Sequence, residues 1–370
     1  MTKEFFKRLT PQFYKLHESF LSTPLLAIML MLTFEEYAEI PDSLHAFYRN
    51  AFDTLVRRHD AMKAQFLRRT HSNCSAEDFK GLFASFCLLT YSKSKYQFSH
   101  EEIIEYIKQS LKQQRIKGDP EKILNDLIES ICLLQREGFE ISFFHRSFQE
   151  YFCALFVSQA PAGIVSKYLE SGKFRVRDNV LPMLFGMVPD RVEMEWAAGV
   201  VKMIVEEFKG QDDATGIRFL QSLFKDLNFL ILPRSEVSIA MGHGTINREF
   251  EILRRIYPAH FFASESKRRD QNRASAKVRN AEILEQMERL EQSDDENFKG
   301  FSRARKLPPG PQSGEIRTFT IDISIEYSEL LVSTGFVEYA KRWLIALRAV
   351  HKDQIAHEKG DDDFLTEVFR

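Results

Sequence analysis

Four residues have the types and spacing that chemistry could use. His145 stands within Phe143-Phe144-His145-Arg146-Ser147-Phe148-Gln149-Glu150-Tyr151-Phe152, where a strand-like run meets a helix start. A histidine beside a helix N-terminus can help hold an anion such as phosphate, because free first-turn amides and the helix dipole favour negative charge there. Lys352, Asp353 and His357 stand close together near the other end of the chain. A cation, a carboxylate and an imidazole are the groups general acid–base catalysis uses.

The elements that must position His145 are legible around it. Phe139, Ile141 and Phe143 alternate with Glu140 and Ser142, the period of a half-buried strand, and Glu137-Gly138 supplies a turn ahead of it. Ser147 and Glu150 have the spacing of a capping box, with Ser147 as the expected N-cap. Phe148, Tyr151, Phe152, Leu155 and Phe156 then form one apolar helical face. Upstream, Thr23 and Pro24 read as N-cap and first residue of a helix running through Leu32, too short an apolar run to span a bilayer. Leu44, Phe47, Ala51, Phe52, Leu55 and Val56 mark a second amphipathic helix after Pro41.

The run from Phe143 to Phe152 resembles the winged-helix segment of NACHT-type STAND NTPases, the ATP-switched sensors that include animal inflammasome receptors and bacterial antiviral proteins. The passage from Thr23-Pro24-Leu25-Leu26 to Pro41 is similar to the small helical domain that follows their nucleotide-binding domain. The resemblance implies that His145 contacts the phosphates of ADP and that Pro24 packs against its adenine. It covers roughly residues 15 to 190.

A NACHT NTPase also needs a Gly-x4-Gly-Lys-Ser/Thr loop to cradle phosphates, and the sequence has none. Only 23 residues precede Pro24, too few for a nucleotide-binding α/β domain. The chain by itself is therefore expected not to hydrolyse ATP. It reads as the nucleotide-state-sensing, C-terminal portion of a signalling or defence protein. ADP or ATP would bind only together with an NTPase domain supplied in cis or in trans, and protein partners or self-oligomers are expected.

Composition is compatible with this. The chain has 370 residues, 44% of them hydrophobic, enough for two or three cores. A net charge of −2 gives no general attraction to nucleic acid or anionic membrane. Cys74, Cys87, Cys132 and Cys153 lack metal-like spacing and read as buried free thiols of a reducing cytoplasm. Met1 leads into polar residues rather than a secretory signal.

The fold class expected is mainly α. A small helical domain occupies 1–72 and a winged-helix domain with a β-hairpin 73–160, its helices placed at Phe79–Tyr91, Glu101–Gln114 and Pro120–Gln135. A helical arm covers 161–262, with helices at Val180–Val188, Met194–Phe208, Ile217–Leu227 and Phe250–Tyr257. Residues 263–315 read as a charged helix and Pro/Gly linker, with a basic run from Lys267 to Arg279 followed by Glu282, Glu285, Glu288 and Glu291. No aromatics interleave the basic residues, so a solvated helix is expected there and nucleic-acid binding is not.

Residues 316–370 read as a small separate piece: a strand through Phe319, Ile321, Ile323 and Ile325, then a helix. The end of that helix is faintly similar to HEPN ribonucleases, whose Arg-Asn/Asp-x3-His motif would map onto Lys352, Asp353 and His357. Lys352 departs from it, since an ammonium cannot reproduce a planar bidentate guanidinium. Two alternatives to the sensing role follow: an effector with a degenerate HEPN-like site, and an interaction adaptor without nucleotide chemistry.

Overall fold

The computed structural model describes residues 10, 21, 23–41, 43–63, 71–72, 74–232, 236–265, 272–291, 305–306 and 315–368. It is mainly helical, with two small antiparallel sheets, and divides into two units, Met1–Glu195 and Trp196–Arg370.

In the first unit, α1 (Pro24–Tyr37) packs on α2 (Leu44–Lys63). Thr23 is the N-cap of α1 as expected, but its hydroxyl makes no capping bond, and Pro24 alone favours the start there. Next come α3 (Ala76–Ser92), β1 (Gln97–Phe98), α4 (His100–Gln114), α5 (Pro120–Asn125), β2 (Leu134–Glu137), β3 (Glu140–Phe143) and α6 (Arg146–Gln159). The three strands pair in the order β1-β3-β2. The capping box of this unit lies at Ser99 and Glu102, heading α4.

The helix expected over Pro120–Gln135 is corrected. It ends at Asn125, opens into a wide π-type turn at Asp126–Ser130, and reverses at Cys132, whose φ of 55° is left-handed. Leu133 and Leu134 are then fully buried beside β3, so tertiary packing overrides local helical preference. The strand alternation is also corrected: Ser142 is buried, whereas Phe139 lies at the hairpin tip, 103% exposed. An aromatic cluster of Phe83, Phe86, Phe98, Phe143 and Phe152 fills the space between α3, α6 and the sheet. Beyond α6 lie α7 (Ile164–Glu170), α8 (Val180–Met187) and α9 (Pro189–Val192); α8 packs on both α2 and α6.

The second unit contains α10 (Ala198–Glu207), α11 (Asp213–Leu223), β4 (Phe224–Leu232), β5 (Glu236–His243), α12 (Asn247–Ile256), α13 (Pro258–Glu265), α14 (Asn272–Glu291), β6 (Arg305–Lys306), β7 (Glu315–Asp322), α15 (Ser328–Ser333) and α16 (Phe336–Val368). Two expectations are overturned here. The helix placed at Ile217–Leu227 gives way at Phe224 to a strand, because Leu227, Phe229 and Ile231 alternate inward in β4. The segment 316–370 is not a separate piece, since β7 pairs with β4 and α16 packs on α10, α11 and α13.

The four strands run in the order β5-β4-β7-β6. Strand β7 stops at Asp322, short of Ile325, which belongs to a 3-10 turn. Part of the charged stretch is the helix α14, which buries Ile283 and Met287 one turn apart. Lys267, Arg268, Arg269 and the Pro/Gly linker at 307–314 lie outside the described residues.

Cys87 and Cys153 are buried, as expected of all four thiols, but Cys74 is half-buried and Cys132 exposed. Burial pushes the Cys153 thiol up to about 12, so it packs as an unreactive apolar group. Among the described residues, no helix is long and apolar enough to cross a membrane.

Candidate functional site

His145 itself is the N-cap of α6. The expected cap, Ser147, sits two residues further on, inside the first turn, so the proposed Ser147–Glu150 capping box does not form. The His145 ring takes the cap's role: Nδ1 accepts the Ser147 amide at 3.3 Å and also bonds the Ser147 hydroxyl. With Nδ1 accepting, the proton of the neutral ring resides on Nε2, which is left as a donor. Half-burial lowers the His145 pKa, which favours this neutral form.

Tyr48, on α2, lies against the first turns of α6: its ring stacks on Tyr151 at 5.8 Å and meets Phe148 edge-on at 5.3 Å. Burial holds the Tyr48 phenol well above its usual pKa, so it stays un-ionised. Helix α2 thus meets the capped end of α6 through aromatic packing. Arg146, next in sequence to the histidine, is exposed and lies over the Tyr96 ring at 4.6 Å from its centroid, adding a cation to the same helix end.

Glu150, released from the cap, faces inward with 8% of its surface exposed. Its Oε2 accepts both the backbone amide and the side-chain Nδ2 of Asn179, each at 3.3 Å. Burial, and secondarily the nearby Asp178 carboxylate, raise its pKa. Asp178 accepts the Tyr91 hydroxyl at 2.6 Å, while the same Tyr91 oxygen accepts the Arg175 amide at 2.8 Å. The segment 175–179 is thereby bonded to both α3 and α6. Gln149, fully buried, donates to Thr90 Oγ1 at 3.0 Å and to the Lys95 carbonyl at 2.8 Å. Four successive residues of the motif, Ser147 to Glu150, are therefore buried, and each of the three polar ones has a named partner.

Sequence reasoning missed a second polar joint. Asp126, 1% exposed, accepts the amides of His71 and Ser72 at 2.8 and 2.9 Å, together with the hydroxyls of Ser72 and Ser130. The available signal was a lone carboxylate within Ile123-Leu124-Asn125-Asp126-Leu127-Ile128, which no helical face could leave in solvent.

Pro24 heads α1 with its side chain exposed. Helix α1 packs on α2, and α2 on α6, so α2 is the element that connects Pro24 to His145. Lys352, Asp353 and His357 all lie exposed on α16. The imidazole that Asp353 engages is that of His260, at 3.0 Å, across to α13. This interaction ties two helices together, and an exposed pair of this kind contributes little to stability. Among the described residues, no group of three or more His, Cys, Asp or Glu side chains could hold a metal ion. No protein-family model matches the chain, and no curated protein matches it.

Proposed function

We propose that this chain is the nucleotide-state-sensing portion of a NACHT-type STAND NTPase, with residues 73–160 acting as its winged helix. The order α3-β1-α4-α5-β2-β3-α6 supports that assignment, because it places a three-stranded sheet and a hairpin after three helices, as winged helices do. Residues 73–160 carry twelve Asp and Glu against ten Lys and Arg, which argues against DNA reading by this region.

The single observation that carries the reading is the cap that His145 Nδ1 makes at the start of α6. An imidazole whose Nδ1 closes the helix N-terminus offers Nε2–H as a neutral donor beside a positive dipole end. That is a suitable contact for a phosphate oxygen, and release of the phosphate would be felt by α2 through the packing of Tyr48 on Phe148 and Tyr151. On this reading Pro24 covers the adenine. ADP or ATP is held chiefly by an NTPase domain in cis or in trans, and nucleotide exchange frees the segment for oligomerisation.

The test joins the chain to an NTPase domain carrying a Gly-x4-Gly-Lys-Ser/Thr loop and measures ADP binding by calorimetry. His145→Ala is expected to weaken ADP by roughly tenfold, the loss of one charge-assisted hydrogen bond. Unchanged ADP affinity in both His145→Ala and Pro24→Ala would overturn the reading. The chain without that domain is expected to show no ADP binding below the millimolar range, and a tighter value there would also count against it.

A further inference from the structure

The geometry points to self-association of this chain through the outer edge of β5, two copies pairing antiparallel about a two-fold axis to make one continuous eight-stranded sheet. The inference goes beyond the nucleotide reading and does not depend on it.

The two ends of the four-stranded sheet differ. At one end β6 is two residues long and consists of Arg305 and Lys306, short and charged as protected edges are. At the other end β5 runs eight residues, Glu236-Val237-Ser238-Ile239-Ala240-Met241-Gly242-His243, with no proline, lysine or arginine. It pairs with β4 on one side, and no described strand pairs with it on the other. Half of its backbone amides and carbonyls therefore point to a side of the ladder that no described strand fills.

The side chains identify what fits there. Val237, Ile239 and Met241 lie opposite Ile231, Phe229 and Leu227 of β4, which are buried. The apolar rows of the core thus continue outward to the edge and stop at Met241, which is 38% exposed. A two-fold axis perpendicular to the sheet keeps the faces of both copies aligned, so residues of the same parity must oppose one another. With the axis at Ile239, Val237 faces Met241 of the second copy, Ile239 faces its own equivalent, and Met241 faces Val237. On the other face Ser238 meets Ala240 and Glu236 meets Gly242.

Val237, Ile239 and Met241 then meet only apolar side chains, and these bulky pairs fall on one face. Antiparallel pairing opposes no like charges in β5. A foreign strand could supply the backbone bonds, but the same edge supplies its own complement in size and parity. One strand pair falls at the small end of specific interfaces, so the dimer should form reversibly and depend on concentration.

The test is sedimentation equilibrium of the full chain from micromolar to submillimolar concentration, with hydrogen exchange of the β5 amides at both extremes. A monomer–dimer equilibrium is expected, with protection of residues 237–242 rising as dimer forms. Met241→Lys, at an exposed position, and Ile239→Lys are each expected to weaken dimerisation by at least roughly tenfold while circular dichroism stays unchanged. A wild-type chain that remains monomeric throughout overturns the inference, including the case in which it binds some other strand. So does a dimer that Met241→Lys leaves intact, or one in which the β5 amides exchange at a concentration-independent rate.

Discussion

The α6 cap of the first unit and the β5 edge of the second are opposite solutions to the same demand, that backbone and polar groups be bonded. Around the cap, the His145 Nδ1, the Ser147 hydroxyl, the Gln149 side-chain nitrogen and the Glu150 carboxylate are each bonded within the protein. Along β5 the apolar layer and the ladder both stop with no described strand beyond them. An enclosed network specifies one geometry and senses small displacements, whereas an open edge specifies a partner. Substitutions in the first region should therefore register in stability, and those in the second in association.

The largest expected effect is at the Asp126 joint. Asp126→Ala strands two amides and two hydroxyls that now end on one carboxylate, and we expect a loss of about 3 kcal/mol in urea unfolding of the full chain. Ser147→Ala removes the hydroxyl that bonds His145 Nδ1. It should destabilise by about 1 kcal/mol, and the His145 pKa, followed by NMR, should change with it.

Glu150→Gln should act with the opposite sign. Because the folded pKa of Glu150 is raised, the folded chain holds that proton more tightly than the unfolded chain does. The resulting stabilisation is present below the ordinary glutamate range and is lost as pH rises through the raised folded value. Glutamine keeps an acceptor for Asn179 without the charge. It should raise the neutral-pH unfolding midpoint, by up to roughly 1 kcal/mol, and flatten the dependence between mildly acidic and neutral pH. A variant as pH-sensitive as the wild type would show that Glu150 is not the titrating group.

The smallest effect belongs to the edge. Met241→Ala should change monomer stability by no more than about 0.5 kcal/mol in dilute chemical denaturation. A larger loss would mean that the edge is already part of the core, and the contrast between the two regions would fail.

Much of this was legible in sequence where one period dominated. The helices at Ala76–Ser92 and His100–Gln114, the hairpin before His145 and the amphipathic face of α6 all followed from spacing and caps. The identity of the cap did not, because an imidazole can accept the amide two residues on, as Asp or Asn does, and so displaced Ser147 from that position. Strand β4 was misread since Leu223, Phe224 and Leu227 also fit a helical face. Its pairing with β7 spans some ninety positions, beyond any local pattern. The burial of Gln149 and Glu150 was likewise invisible, as their partners lie at Thr90, Lys95 and Asn179.

The Asp126 joint has a practical consequence for dissecting the molecule. Its two backbone donors come from 55 and 54 positions earlier in the chain, across the domain boundary expected at 72/73. A fragment begun at that boundary would keep the enclosed carboxylate and discard both amides that bond it, leaving it short of partners in a buried place. Such a fragment should express poorly, whereas one begun ahead of residue 71 should not. The natural cut in this protein lies upstream of the boundary that the sequence suggests.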